Sequence, residues 1–175
     1  ELEKTLAEQY KRKYAITVGS ATDGLYFALK SLGLNSQSKI VCPAFGYIAM
    51  SNAIKRLGAK PIFVDVDKNG NLGPLSVGLN PDAVLYANLF GNLAEYDSIK
   101  KFCDSRKIPL IEDAAQSMGS IYKQIPSGKL GDISVFSFDP MKNLPTFGTG
   151  GMVLTDSDAH YKNIVSLRRH GIGTN

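Results

Sequence analysis

The chain has 175 residues, 43% hydrophobic and 21% charged, with a formal net charge of +4, which suits one globular domain with a sizeable core. Its basic residues are scattered, and the densest groups, Lys11-Arg12-Lys13 and Arg168-Arg169-His170, lack interleaved aromatics, which argues against nucleic-acid binding. These 175 residues show no signal-peptide pattern and no apolar run able to span a bilayer, and Cys42 and Cys103 stand outside any C-x-x-C pattern, so the expectation is a cytoplasmic protein with two buried free thiols.

The chain opens inside an apparent helix marked by Leu2, Leu6 and Tyr10. Residues 14–18 read as a strand ending at Gly19. Leu25, Leu29 and Leu32 then recur at helical spacing until Gly33 closes the segment. A strand at 39–42 is stopped by Pro43, a helix suits 47–57 before Gly58, and 61–64 and 83–87 are further short apolar strands. Tyr96, Ile99 and Cys103 share a helical face. Strands follow at 109–111, 133–138 and 152–155, then a helix over 157–170. Short apolar strands alternating with helices predict an α/β fold, a three-layer sandwich around a mostly parallel sheet. The last residues, Gly171-Ile172-Gly173-Thr174-Asn175, offer no closing element.

In such sheets ligands bind beyond the carboxyl ends of the strands. Gly19-Ser20-Ala21-Thr22-Asp23-Gly24 joins a strand to a helix there, so its free N–H groups could take a phosphate. On this segment alone an ordinary N-cap is the stronger account. Asp113 closes the apolar run before Ala114-Ala115-Gln116, and Lys142 lies in Ser137-Phe138-Asp139-Pro140-Met141-Lys142-Asn143, just ahead of Gly148-Thr149-Gly150-Gly151. An amine, a strand-end carboxylate and hydroxyls near a glycine-rich turn are what pyridoxal phosphate chemistry requires. Gln116 could donate to the ring oxygen. Tyr47 could stack on a ring, although an aromatic there is more often core.

Other patterns carry less. Asp65-Val66-Asp67-Lys68-Asn69-Gly70-Asn71 begins like a calcium loop, but Ser76 replaces the bidentate Glu, leaving a polar turn. Ser120-Ile121-Tyr122-Lys123 matches S-x-x-K without its companion motifs, and His160 and His170 lack metal-site spacing.

Taken in order, the glycine turn, Pro43-Ala44-Phe45-Gly46-Tyr47, Phe63-Val64-Asp65-Val66-Asp67, Glu112 to Gln116, Ser137 to Asn143, Gly150-Gly151 and Leu167-Arg168-Arg169-His170-Gly171 resemble the DegT/DnrJ/EryC1/StrS sugar aminotransferases along essentially the whole chain. The resemblance implies that residues 1–175 are the pyridoxal phosphate-binding large domain of the aspartate-aminotransferase fold type, incomplete at both ends and without its C-terminal small domain. It implies Lys142 as the Schiff-base lysine, Asp113 as partner of the pyridine nitrogen, Gln116 at the ring oxygen and Tyr47 as the stacking aromatic. Ser137, Ala21, Thr22 and the backbone at Asp23 would hold the phosphate. The implied activity is transamination of a nucleotide-linked keto sugar with L-glutamate as donor, in a homodimer. The alternatives are a truncated homologue that binds cofactor weakly or only oligomerises, and a related sugar dehydratase. Some relatives that deoxygenate sugars replace the lysine with histidine, so Lys142 favours transamination. Asp139 and Thr149 depart from the family pattern, which often has a larger residue and an acidic residue there, and so bear on substrate preference.

Overall fold

The computed structural model describes residues 1–172; Gly173, Thr174 and Asn175, on which part of the expectation for residues 171–175 falls, lie outside the described residues. In chain order the elements are α1 (Leu2–Gln9), β1 (Tyr14–Val18), α2 (Ala21–Ser31), β2 (Lys39–Pro43), α3 (Ala49–Arg56), β3 (Lys60–Val64), β4 (Ala83–Ala87), a 3-10 turn (Leu89–Gly91), α4 (Tyr96–Arg106), β5 (Leu110–Asp113), β6 (Ile121–Tyr122), β7 (Ile125–Pro126), β8 (Ile133–Ser137), β9 (Gly151–Thr155) and α5 (Asp158–Arg168).

Seven strands form one sheet in the order β1-β9-β8-β5-β4-β2-β3, while β6 and β7 make a separate hairpin. β3, β2, β4, β5 and β8 run parallel to one another, and β9 lies antiparallel to both β8 and β1. β1 therefore points the same way as β8, and only β9 is reversed. Every residue of β4, β8 and β9 is buried, which explains why these strands read as continuous apolar runs rather than alternating ones. Ile16, Leu85, Ile111, Val135 and Val153 face one layer, into which α2, α3 and α5 bring Leu25, Leu29, Met50, Ile54 and Ile164. Val84, Tyr86 and Leu110 face the opposite layer with α4, and Phe136 and Met152 meet α1 there. The expected three-layer α/β/α sandwich is the fold observed.

α2 is the helix that positions the site. Ser20 caps it by accepting the Asp23 N–H, and Leu25 and Leu29, one turn apart, are fully buried. Each such burial is worth about 2 kcal/mol, and Leu25→Ala would cost about 3 kcal/mol with its cavity. Gly24 lets the helix sit directly on the sheet: a Cβ there would come within 2.9 Å of Val135, 3.2 Å of Val153 and 3.3 Å of Val18.

Three local differences from the sequence reading have physical causes. α3 starts at Ala49 rather than near 47, because Gly46 takes φ 137° and no side chain caps the helix at Ile48. Tyr47 consequently stands outside the helix, 68% exposed. The strand expected over 109–111 spans Leu110–Asp113, so Asp113 is its last residue. The β6–β7 hairpin turns on Lys123 and Gln124, both at positive φ, without the glycine or asparagine that usually signals such a turn. The calcium-like loop is a polar turn in which Asp67 accepts the N–H groups of Asn69 and Asn71. No cluster of metal-ligating side chains occurs, and no helix is long and apolar enough to cross a membrane, among the described residues.

Candidate active site

At the carboxyl edge of the sheet lies a cleft of about 420 Å³ lined by Ser20, Ala21, Thr22, Tyr47, Asn88, Asp113, Gln116, Ser137, Asp139, Lys142 and Thr149, among others. Its floor follows from strand register. Gly151, the first residue of β9, pairs with Val18 of β1 on one side and Ser137 of β8 on the other. The start of α2 therefore passes over Gly151, where a Cβ would lie 2.7 Å from the Ala21 nitrogen and 2.8 Å from the Ser20 carbonyl carbon. Only glycine permits that approach.

Two of the first four N–H groups of α2 are already engaged: Asp23 donates to Ser20 Oγ at 3.1 Å and Gly24 to the Ser20 carbonyl at 3.0 Å. Those of Ala21 and Thr22 have no acceptor within the helix and stand at its positive end. Asp23 carries a carboxylate at this anion-favouring terminus, but it is turned to Arg56, 2.6 Å from Nη1, and to the Ser20 hydroxyl at 3.0 Å. Of the eight residues expected to build the site, Asp23 alone does not line the cleft; Ala21, Thr22, Tyr47, Asp113, Gln116, Ser137 and Lys142 all do.

The lysine comes from a loop slung between β8 and β9. Asp139 and Pro140 open a turn closed by the Lys142 N–H on the Asp139 carbonyl at 2.8 Å, and Asp139 Oδ1 accepts the Met141 N–H. The base of the loop is fastened by Phe138 N–H to the Gly150 carbonyl and by Thr146 N–H to the Phe138 carbonyl. Asn143 donates to the Met118 carbonyl from the loop's outer side.

Asp113 and its predecessor Glu112 point to opposite sheet faces. Asp113 pairs in register with Ala87 and Val135, on the α2 side, and is 7% exposed. Its hydrogen-bond donor among the described residues is the Ala115 N–H at 3.1 Å. Burial pushes its carboxyl up to about 6, against the pull of that N–H and of the Lys142 ammonium; Glu112 adds slightly to the rise. Glu112, with no exposed surface, is saturated: Asn88 Nδ2, Ser127 Oγ, the Gly128 and Leu130 N–H groups and Ser134 Oγ all reach its two oxygens within 3.1 Å. Buried Arg12 locks the same loop from beyond, donating to the Gly128 and Gly131 carbonyls, to Ser134 Oγ and to Asp156. The sequence reading missed this network. Its donors lie up to 24 residues from Glu112, and Arg12 reaches across 116 residues to Gly128, so no local pattern announces them.

The segment after β4 was missed as well. Asn88 Oδ1 accepts the Ala94 N–H, Asn71 Oδ1 accepts the Leu89 N–H, and between these ties Phe90 takes a left-handed backbone at φ 57°, ψ 24°. Such a conformation costs a non-glycine residue about 1 kcal/mol. The Phe90 N–H donates to Gln116 Oε1 at 3.1 Å.

A mostly parallel open sheet presenting an amine, a buried carboxylate and a helix N-terminus in one cleft defines an α/β protein with a site suited to an anionic small molecule at its carboxyl edge. The DegT/DnrJ/EryC1/StrS aminotransferase family model matches residues 1–175, and the chain belongs to that family. Among curated relatives, the UDP-2-acetamido-2-deoxy-3-oxo-D-glucuronate aminotransferase of Pseudomonas aeruginosa is 36% identical over 176 residues, covering 98% of this chain and 49% of the relative. An aminotransferase structure from Psychrobacter cryohalolentis superposes with a TM-score of 0.94 at 31% identity, over 98% of this chain and 45% of that one. NtdA of Bacillus subtilis, solved with its cofactor PMP bound, gives 0.92 at 30% identity, over 99% of this chain and 40% of that one. The chain spans about half the length of the curated relatives it matches.

Proposed function

We propose that residues 1–175 are the pyridoxal phosphate-binding large-domain portion of an enzyme that aminates a nucleotide-linked keto sugar, with L-glutamate as amino donor. The observation that carries this reading is the convergence of Lys142, Asp113, Gln116, Ser137 and the α2 N-terminus on one cleft. The cleft fits the cofactor on its own terms. Unpaired N–H groups at Ala21 and Thr22 suit a phosphate, the missing Cβ of Gly151 leaves α2 close to the sheet, and Asp113 keeps acceptor capacity toward the cavity.

When bound, pyridoxal phosphate supplies an aldehyde that captures amines and a ring that withdraws electrons from the adjoining carbon. Lys142 Nζ would hold the cofactor and, once released, take and return the proton at the substrate carbon that carries nitrogen. The Asp113 carboxylate would keep the ring nitrogen protonated, and Gln116 would donate to the ring oxygen. Tyr47 would cover one ring face, and Ala21, Thr22 and Ser137 would bind phosphate. The N–H of Asp23 is already held by Ser20, so its share in phosphate binding would be through the helix terminus rather than a direct bond. Asp139 and Thr149 line the same cleft and would face the substrate.

Phe45, Tyr47, Ile48, Met141 and Phe147, on loops at this edge, are exposed and offer an apolar rim suited to a second copy of the chain, as a homodimer requires. Burial raises the Cys42 and Cys103 thiols to about 11 and about 12, so both stay protonated and unreactive.

The test is borohydride reduction of the protein incubated with pyridoxal phosphate, followed by peptide mass spectrometry. The label is expected on Lys142, with cofactor affinity falling more than about 100-fold in Lys142→Ala. Equal labelling of Lys142→Ala would sink the assignment. Loss of the cofactor's visible band on adding glutamate tests the donor half of the reaction, and product analysis with keto-sugar nucleotides tests the acceptor.

A further inference from the structure

We propose that Phe90 is a positioning residue, whose left-handed backbone aims its N–H at Gln116 Oε1 and so commits the Gln116 amide nitrogen to the cleft as a donor. A side-chain amide can present oxygen or nitrogen at either end, and its orientation is set by its partners. A backbone N–H can only donate, so its partner at 3.1 Å must be the amide oxygen, and the two N–H groups of Gln116 are left for a ligand.

The backbone at Phe90 is determined from both sides. Leu89 N–H is tied to Asn71 Oδ1 at 2.9 Å, and Asn88 is tied to buried Glu112 at 2.9 Å. Asn92 N–H closes the turn on the Leu89 carbonyl at 2.9 Å. Asn71 itself is buried and donates to the Asn92 carbonyl, so the clamp does not depend on solvent-exposed groups. The Phe90 ring is 70% exposed, which leaves the main chain as the part that does the orienting. The functional consequence rests on the reading above, in which Gln116 meets an acceptor oxygen on the cofactor ring.

The test uses the whole chain as wild type, Phe90→Gly, Phe90→Val and Gln116→Glu. Without cofactor, a scalar coupling through the hydrogen bond, from the Phe90 amide nitrogen to the Gln116 side-chain carbonyl carbon, is expected in wild type and in Phe90→Gly, which adopts positive φ freely. It is expected to vanish in Phe90→Val, whose β-branch resists that conformation. Absence of the coupling from wild type would overturn the proposal. Pyridoxal phosphate titration, read by tyrosine fluorescence and the visible band, should leave Phe90→Gly within about twofold of wild type and weaken Phe90→Val about tenfold, the worth of one hydrogen bond. Gln116→Glu should weaken binding similarly, since its carboxylate still accepts the Phe90 N–H but offers no donor. Wild-type binding by Phe90→Val, or a tenfold loss in Phe90→Gly, would equally overturn the assignment, and the glycine variant decides the matter if the valine variant does not fold. A wild type that shows the coupling yet binds no pyridoxal phosphate refutes the cofactor reading and upholds the contact.

Discussion

Glu112 and Asp113 are neighbours on one strand, both buried, and they have been given opposite situations. Glu112 faces the α4 side, where five donors close around its oxygens and Arg12 braces the loop that supplies them. Asp113 faces the α2 side with the Ala115 N–H as its donor among the described residues, and its carboxyl is raised to about 6. A carboxylate surrounded by donors is architecture, whereas one buried with acceptor capacity unfilled is poised for a charged visitor. The pleat of the strand makes this division possible, because adjacent side chains meet different layers of the sandwich.

Glu112→Ala should have the largest effect. It would orphan several buried donors and lower stability by upwards of about 3 kcal/mol in urea unfolding. A loss under about 1 kcal/mol would put the two carboxylates on an equal footing. Asp113→Asn should act in the other direction. Because burial raises the folded carboxyl from 3.8 to about 6, its protonated form belongs to the folded state. That contribution is full below the unfolded pKa and is lost as pH rises through about 6, by about 3 kcal/mol at pH 7. Unfolding measured from pH 4 to 7 should therefore show a wild-type decline that is flattened in Asp113→Asn, while cofactor affinity falls. Parallel pH curves for the two proteins would remove Asp113 from its poised role.

Smaller effects separate the shaping of the cleft from its charge. Gly151→Ala would push α2 off β9, costing about 2 kcal/mol and reducing affinity for inorganic phosphate as well as for cofactor, measured by thermal shift. Ser20→Ala removes the cap of α2 and should cost about 1 kcal/mol. The Asp23 N–H, already directed at the helix terminus, is then left without its acceptor, so phosphate affinity should hold or rise slightly. A large fall in affinity would show that Ser20 contacts the ligand itself.

Much of this was legible from local signals. The apolar runs marked all seven strands of the main sheet, most plainly β4, β8 and β9, because strands buried on both faces leave few residue choices. Asp113 was legible at a strand end, where an α/β sheet gathers its ligands, and the places of Lys142, Gln116 and Ser137 in the cleft were legible through the motifs that resemble the family. The Glu112–Arg12 network was not, since it depends on partners brought together only by the finished sheet. Phe90 was not either: its left-handed backbone is imposed by Asn71 and Asn88, and a phenylalanine carries no mark of it. Tyr47 was read into a helix because its residues have helical spacing, and the uncapped start after Gly46 placed it outside.

The reversal of β9 has a consequence for how the lysine loop can change. Since β9 begins where β8 ends, Ser137 and Gly151 sit side by side, and the chain between them is an arch with both feet pinned in the sheet. An arch of this kind can be lengthened, shortened or rewritten at its crown while its footings stay put, and doubling the span of a flexible loop costs only about 0.6 kcal/mol in closure. The reach and tilt of Lys142 can therefore be retuned without disturbing the close approach of α2 to Gly151 beneath it, and on the proposed reading new acceptors would be explored while the grip on the cofactor is kept.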